Sequence, residues 1–191
     1  MSQTACPILA LLAVSHAPQT ATHDFIHLKR EPAMTQRLNY LDASPVGYKA
    51  LFGVKSYLQS CGLEPHLIDL VYLRVSQING CAFCISQHSR DLIKLGVSLD
   101  KVLLVPVWRE GGALFDRREC AALAWAESLT RVHETDVPDE DFQAVSAVFG
   151  EKEVADLTLA VALMNALNRV GVGFRLVPAS VRQHEEAARE Q

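Results

Sequence analysis

The 191-residue sequence lacks runs of basic residues, and it lacks an uninterrupted apolar stretch long enough to cross a bilayer. Its 18 Lys and Arg residues stand against 22 Asp and Glu residues, which gives a formal net charge of −4. The longest apolar runs, such as 157–167, are short and contain polar residues. The alternation of apolar and polar residues that marks a half-buried strand is also missing. We therefore expect a helical globular protein with no nucleic-acid partner and no membrane partner.

The five cysteines do not form the even, regularly spaced set of a secreted disulfide framework. One pair is closely spaced, and the other three thiols are expected to be bystanders: Cys6, Cys61 and Cys120. An odd number of cysteines with one reactive couple is typical of a reducing compartment, so we expect a cytoplasmic protein. The apolar segment 7–14 is similar to the apolar part of a signal peptide, but no Lys or Arg precedes it.

Helix start and stop signals recur along the middle of the chain. Proline in a first turn, side-chain caps and a capping box mark the starts, while Gly or Asn-Gly marks several ends. These signals predict that helices begin near Pro45, Pro65, Cys81, Ser98, Asp116, Pro138 and Glu151. The last of these helices is predicted over 151–170 and is expected to be buried on more than one side, because apolar residues cover most of its circumference.

These elements predict an all-α fold with one domain, a helical bundle over residues 34–178. Residues 1–33 precede the patterned part of the chain and are predicted to be an N-terminal extension. Residues 179–191 are rich in charged and polar side chains and are predicted to be a solvated C-terminal tail. Within the long helix, Asn165, Asn168 and Arg169 are expected to form a buried polar network or a contact between subunits, and binding of an anionic substrate is the alternative for Arg169.

The sequence Gly-Cys-Ala-Phe-Cys-Ile-Ser-Gln-His places Cys81, Cys84 and His88 at i, i+3 and i+7, on one face of a helix that begins after Gly80. Unpaired N–H groups at a helix start favour a thiolate over a thiol. His88 could take the proton of Cys84 and return it to a leaving group, and Cys81 could then close a disulfide. The spacing leaves open which cysteine attacks first.

Asp69 is the one carboxylate in the segment from Pro65 to Gly80, and its neighbours are apolar. If this helix packs antiparallel to the Cys-X-X-Cys helix, Asp69 could meet the dithiol and join a proton relay with His88. The alternative is a solvated carboxylate on the exposed face of an amphipathic helix. The sequence favours neither interpretation over the other.

Zinc binding is the competing chemistry, because Cys81, Cys84, His88 and Asp69 could supply four ligands. Structural zinc sites usually draw a second Cys or His pair from a separate loop, and the sequence contains no second Cys-X-X-Cys pair. We therefore predict no bound metal, and we keep a zinc-binding interaction protein and a non-enzymatic redox sensor as alternatives to an enzyme.

The run Leu-Arg-Val-Ser-Gln-Ile-Asn-Gly-Cys-Ala-Phe-Cys-Ile-Ser-Gln-His, residues 73–88, resembles the core of the alkylhydroperoxidase D-like (AhpD-like) proteins of the carboxymuconolactone decarboxylase superfamily. Segments at the expected distances support the resemblance: 108–110, 118–127 and 165–169. The resemblance implies an all-α bundle that assembles as a homotrimer or homohexamer. It also implies thiol-dependent reduction of a peroxide or disulfide without a bound cofactor, with electrons from an external dithiol such as a lipoyl group or from a thiol protein.

The same resemblance assigns roles to the candidate site. Cys84 matches the peroxidatic cysteine, Cys81 its disulfide-forming partner, and His88 the relay histidine. Asp69 stands where better-studied members have glutamate, one methylene longer, and Phe83 stands where one peroxidase has histidine. Members that decarboxylate lactones generally lack the cysteine pair, so the pair argues against that reaction. We predict a thiol-dependent peroxidase or thiol-disulfide oxidoreductase with a His/Asp relay.

Overall fold

The computed structural model describes residues 35–189, and this range contains helices and no strand. Its α-helices are α1 Tyr40–Ala43, α2 Pro45–Leu58, α3 Pro65–Ile78, α4 Ala82–Lys94, α5 Leu99–Leu104, α6 Arg117–Thr130, α7 Val132–Thr135, α8 Asp139–Ser146, α9 Glu151–Gly173 and α10 Ala179–Arg189. Two short 3₁₀ helices, Val105–Glu110 and Gly112–Leu114, connect α5 to α6. The prediction of an all-α fold is confirmed.

The local signals in the sequence account for where these helices begin. α2 and α3 each have proline in the first turn, where the missing N–H leaves no bond unmade. The predicted capping box is present at α6, because Asp116 accepts from the Glu119 N–H while Glu119 accepts from the Asp116 N–H. α9 continues to Gly173, beyond the predicted end at residue 170, although glycine is a poor helix former.

Helix α3 lies at the centre of the bundle and packs against α4, α6 and α9. Most of its side chains are buried, among them Leu67, Leu70, Val71, Leu73 and Val75. The turn to α4 requires Gly80 in the left-handed region, with φ of +67°, which a residue without a Cβ adopts readily. The chain therefore reverses, and α4 runs antiparallel to a helix that is fixed on several sides.

A buried carboxylate joins α3, α6 and the first 3₁₀ helix. Glu127 of α6 accepts hydrogen bonds from Arg74 Nε at 2.6 Å, Trp108 Nε1 at 3.0 Å and Arg109 at 2.6 Å. Burial alone would raise the pKa of Glu127, but these three donors hold the pKa below its usual range. The network therefore holds α3 against α6 and the first 3₁₀ helix.

The structure describes the C-terminal segment of the chain as far as residue 189. The predicted extension 1–33 lies outside the described residues. Residues 179–189, expected as a polar tail, form helix α10, whose side chains are mostly exposed. Within residues 35–189, no helix is both long and apolar enough to cross a membrane.

Candidate active site

Cys81 and Cys84 are paired at the start of α4. Cys81 is the N-cap residue, its sulfur accepts from the Cys84 N–H at 3.4 Å, and the two sulfurs are bonded as a disulfide. Their Cα atoms lie 5.4 Å apart, within the range of protein disulfides. Cys81 is 1% exposed and Cys84 is 6% exposed, so both sulfurs are largely shielded from solvent.

His88 and Asp69 form the contact that the sequence analysis left open. His88 Nδ1 lies 2.9 Å from Asp69 Oδ1, and the histidine is buried while the aspartate is half-buried. An ionised carboxylate can only accept a hydrogen bond, so a neutral imidazole in this contact donates from Nδ1 and keeps Nε2 as its acceptor. The structure therefore places Asp69 against His88 and not on a solvated face, in an arrangement that can hold one tautomer of the ring.

A cleft of about 270 Å³ opens beside the disulfide. Cys84 and His88 both line it, whereas Cys81 is not among its described lining residues. The other walls are mainly apolar and come from α1, α2, α4, α9 and the segment after α9: Tyr40, Phe52, Phe83, Met164, Leu167, Val170 and Leu176. Of the two sulfurs, that of Cys84 is the one that a small molecule in the cleft could reach.

Gly171 of α9 is a site residue that the sequence analysis missed. A Cβ built on Gly171 would lie 2.7 Å from the Cys81 sulfur and 3.5 Å from the Cys84 sulfur. The first of these distances is too short for a real Cβ, so the main chain of α9 approaches the disulfide only because this position has no side chain. Gly171 comes one residue after the predicted end of the helix at 170, where glycine is an ordinary helix stop, so no signal in the sequence marked it as a site residue.

Replacing Gly171 by alanine is expected to lower the stability of the oxidised protein. A methyl group forced into a packed core lowers the free energy of unfolding by about 1–3 kcal/mol. The change from glycine to alanine inside a helix raises it by only about 1 kcal/mol. The reduced protein should lose less, because a free Cys81 thiol can rotate away. Thermal unfolding of both redox forms, followed by circular dichroism, measures the difference.

The control for this substitution is Gly53→Ala in α2, where a Cβ would meet nothing within 4 Å. Gly53→Ala should leave both redox forms as stable as the wild type or slightly more stable. An equal change in the two redox forms of Gly171→Ala would contradict a clash with the disulfide.

A network of amide side chains holds α9 beside the disulfide, with Asn168 buried and Asn79 and Asn165 half-buried. The Asn79 side chain donates to Asn165 at 3.0 Å and to Asn168 at 2.9 Å, and Asn168 donates to Ser76 Oγ at 3.0 Å. The predicted polar network is confirmed, although Asn168 is buried and Asn165 only half-buried. The network joins α9 to the turn that leads into Cys81. Three residues after Asn168, Gly171 faces the sulfurs.

A further group of ligand-type atoms lies on the other side of His88. Atoms of Asp69, His88 and Asp91 lie within 4.8 Å of one another. The zinc set considered from the sequence is not assembled here, because the two sulfurs are bonded to each other. Asp91, which the sequence analysis did not single out, follows His88 by three residues on α4.

Tyr72 packs against this group. Its ring centroid is 5.0 Å from that of His88, and its hydroxyl has no hydrogen-bond partner among the residues that the structure describes. Burial raises the pKa of Tyr72 well above its usual value, and the nearby charge of Asp69 raises it further. The hydroxyl therefore remains protonated and available as a donor.

The sequence of this chain is similar to known proteins. Residues 47–128 match the carboxymuconolactone decarboxylase family. The uncharacterized protein YdfG of Bacillus subtilis is 32% identical over 141 residues, which are 74% of this chain and 95% of YdfG.

Solved structures agree with that assignment. A protein of unknown function from Agrobacterium tumefaciens, proposed to be the antioxidant defence protein AhpD, is 39% identical with a TM-score of 0.72. The match covers 75% of this chain and 98% of that one. The debrominase Bmp8 has a TM-score of 0.64 at 18% identity, over 75% of this chain and 77% of its own, a likeness in fold alone. The chain therefore belongs to the carboxymuconolactone decarboxylase family, as an AhpD-like member.

Proposed function

We propose that this protein reduces organic hydroperoxides with its Cys81–Cys84 pair and draws electrons from an external dithiol. The observation that carries the proposal is the meeting of Cys84 and His88 in one apolar cleft, with His88 held by Asp69 on its other side. A nucleophilic sulfur, a base and an orienting carboxylate are the groups that such a reduction needs.

The first step is attack by Cys84 in the reduced protein. His88 Nε2 accepts the thiol proton, and the resulting thiolate attacks the terminal oxygen of R–O–O–H. The S–O bond forms as the O–O bond breaks, which leaves a sulfenic acid on Cys84 and an alkoxide. The alkoxide takes the proton back from His88 and leaves as an alcohol. The negative charge of Asp69 stabilises the transient imidazolium.

The second step closes and then reopens the disulfide. The Cys81 thiol attacks the sulfenic sulfur of Cys84, the S–S bond forms, and hydroxide leaves with the thiol proton as water. An external dithiol such as a dihydrolipoyl group then reduces the pair by two exchange steps and becomes a cyclic disulfide. The resemblance to AhpD-like proteins is what suggests a dithiol donor. A thiol protein is the alternative donor and would reduce the disulfide by the same exchange steps.

The lining of the cleft favours an organic over an inorganic peroxide. Aromatic and aliphatic side chains make up most of its wall, including Phe52, Phe83 and Leu167. Burying an alkyl or aryl group against them gains roughly 25 cal/mol for each Å² of apolar surface. Hydrogen peroxide has no such group and should be the poorer substrate.

Assembly and location follow from the same proposal. We infer a homotrimer or homohexamer, as the family resemblance implies, and exposed apolar side chains such as Leu99 and Leu103 are consistent with contacts between subunits. We place the protein in the cytoplasm, because a cycle that depends on a reduced dithiol requires a reducing compartment.

The test is consumption of cumene hydroperoxide with dihydrolipoamide as the reductant. We expect the wild-type protein to turn over, Cys84→Ser to fall to the uncatalysed rate, and Cys81→Ser to lose sustained turnover because no disulfide can close. Cys120→Ser is the matched control, since Cys120 lies outside the cleft, and it should retain the wild-type rate.

Absence of turnover in the wild-type protein would refute the peroxidase proposal. Turnover that survives in Cys84→Ser would refute the assigned role of this cysteine. The sensor alternative predicts a different pattern, in which turnover is slow and oxidation changes the assembly state. Size-exclusion chromatography of the oxidised and reduced protein distinguishes the two.

A further inference from the structure

Two pairs of side chains face each other across α3 and α4 on the side of His88 away from the cleft. Asp69 and Tyr72 are spaced i, i+3 on α3, and His88 and Asp91 are spaced i, i+3 on α4. Side chains at this spacing lie on one face of a helix, and such pairs on facing helices commonly build metal sites in helical bundles. Ligand atoms of Asp69, His88 and Asp91 lie within 4.8 Å of one another.

Tyr72 gives a second, independent indication that this group has a ligand. The residue is 3% exposed, and its hydroxyl is without a hydrogen-bond partner in the described part of the chain. Tyr72, Asp69 and Asp91 together line a separate cavity of about 340 Å³. A buried hydroxyl without a partner is unfavourable, and a water molecule bound to an ion in this cavity would supply the missing acceptor.

The geometry is close to what zinc requires. Zinc takes His nitrogen and Asp oxygen at about 2.0–2.2 Å, which puts neighbouring ligand atoms roughly 3.3 Å apart in a tetrahedron. His88 Nδ1 and Asp69 Oδ1 are already 2.9 Å apart, so Asp91 is the side chain that must move inward. Asp91 is half-buried near the C-terminal end of α4, where a side-chain rotation can bring its carboxylate closer.

The present partners of Asp91 can be displaced. It accepts from Gln87 at 2.8 Å and contacts Lys94 Nζ at 3.3 Å, and the Lys94 side chain is 73% exposed. An exposed ammonium at that distance is weakly held and can turn to solvent. Lys55 also lines the cavity and contributes a positive charge that a cation must overcome. Two carboxylates and a neutral imidazole together compensate the charge of a divalent ion.

We propose that Asp69, His88 and Asp91 bind a divalent cation, Zn²⁺ in particular, with a water molecule as a further ligand. Three protein ligands and one water are the arrangement of zinc sites that are not purely structural. The site differs from a dithiol zinc site because it uses neither cysteine.

If the proposed peroxidase reaction is right, on which this step rests, the ion inhibits it. Zinc on Nδ1 replaces the ring proton there, so the neutral ring keeps its proton on Nε2. Nε2 can then no longer accept the proton of Cys84, and Asp69 is occupied by the ion. The cation would act as a reversible inhibitor from outside the substrate cleft.

Zinc binding is tested on the disulfide form, in which Cys81 and Cys84 cannot bind the metal. Isothermal titration with ZnCl₂ should show one ion per chain for the wild-type protein. Asp91→Asn should weaken binding by at least about tenfold, as loss of a ligand requires. Asp100→Asn, which removes an exposed carboxylate of α5, is the control and should bind as the wild type does. Equal binding by wild type and Asp91→Asn, or no binding by either, would overturn the proposal.

Inhibition is tested separately in a single turnover of pre-reduced, desalted protein with cumene hydroperoxide. Asp91 has no part in the proposed reaction, so Asp91→Asn should react at the wild-type rate without metal. Added ZnCl₂ should inhibit the wild type and inhibit Asp91→Asn much less. Equal inhibition of both proteins would assign the effect to the thiolates and overturn the inhibitory role. No turnover in the absence of zinc would instead refute the peroxidase proposal and leave the titration result standing.

Discussion

His88→Asn is expected to lower kcat/KM for an organic hydroperoxide by about 10²–10⁴-fold, the usual contribution of a general acid–base group. The asparagine amide can replace Nδ1 as the donor to Asp69, but nothing replaces Nε2. The Asp69 contact is therefore kept while the base that faces the cleft is lost. Initial rates with cumene hydroperoxide and dihydrolipoamide give the value.

The rate loss must be separated from a loss of folding, because His88 is buried. Thermal unfolding of the variant shows whether it still folds, and His133→Asn controls for removal of a histidine, since His133 is 76% exposed. We expect His133→Asn to retain wild-type turnover. A folded His88→Asn protein with a near wild-type rate would show that another group takes the Cys84 proton.

Glu127→Ala is expected to lower the free energy of unfolding by about 3–5 kcal/mol, the cost of removing one partner from a buried ion pair. The substitution leaves the buried guanidinium of Arg74, 11% exposed, and the Trp108 N–H without their acceptor. Arg109 contributes less, because its side chain is 61% exposed and can turn to water. Urea unfolding at one fixed protein concentration measures the effect, which keeps any oligomer contribution constant.

The effect of Glu127 should also depend on pH. Because the folded-state pKa of Glu127 lies below the ordinary 4.5, its contribution is fully present above about pH 4.5 and is lost as the pH falls through the folded-state pKa. The difference between wild type and Glu127→Ala should therefore shrink on acidification. Glu134→Ala, at an exposed site, should change stability by no more than about 0.5 kcal/mol. A difference that stays constant between neutral and acidic pH would contradict the pKa assignment.

The parts of the site that the sequence predicted are those built by one helix and its caps. Cys81, Cys84 and His88 lie within two turns of α4, so their spacing alone puts them on one face. Proline and the Asp116 capping box likewise act over a few residues, and the helices begin where these signals occur.

The parts that the sequence could not decide depend on how helices pack. Asp69 reaches His88 only because α3 and α4 are antiparallel at one particular rotation, which the periodicity of either helix does not specify. Glu127 is 53 residues from Arg74 along the chain, so no local pattern links the two side chains. A glutamate in a helix is most often exposed, and nothing in the sequence around Glu127 indicates that it is buried. Gly171 lies 90 residues beyond Cys81, and a glycine carries no side-chain chemistry to indicate what it touches.

The main chain of α9 at Gly171 covers Cys81, whereas Cys84 lines the cleft. On the proposed cycle, an incoming thiolate therefore bonds to Cys84 and expels Cys81. The oxidant and the reductant must then react in turn at the same sulfur through the same opening, and they cannot occupy it together. Such an enzyme follows ping-pong kinetics, with parallel double-reciprocal plots and mutual competition between hydroperoxide and dithiol at high concentration.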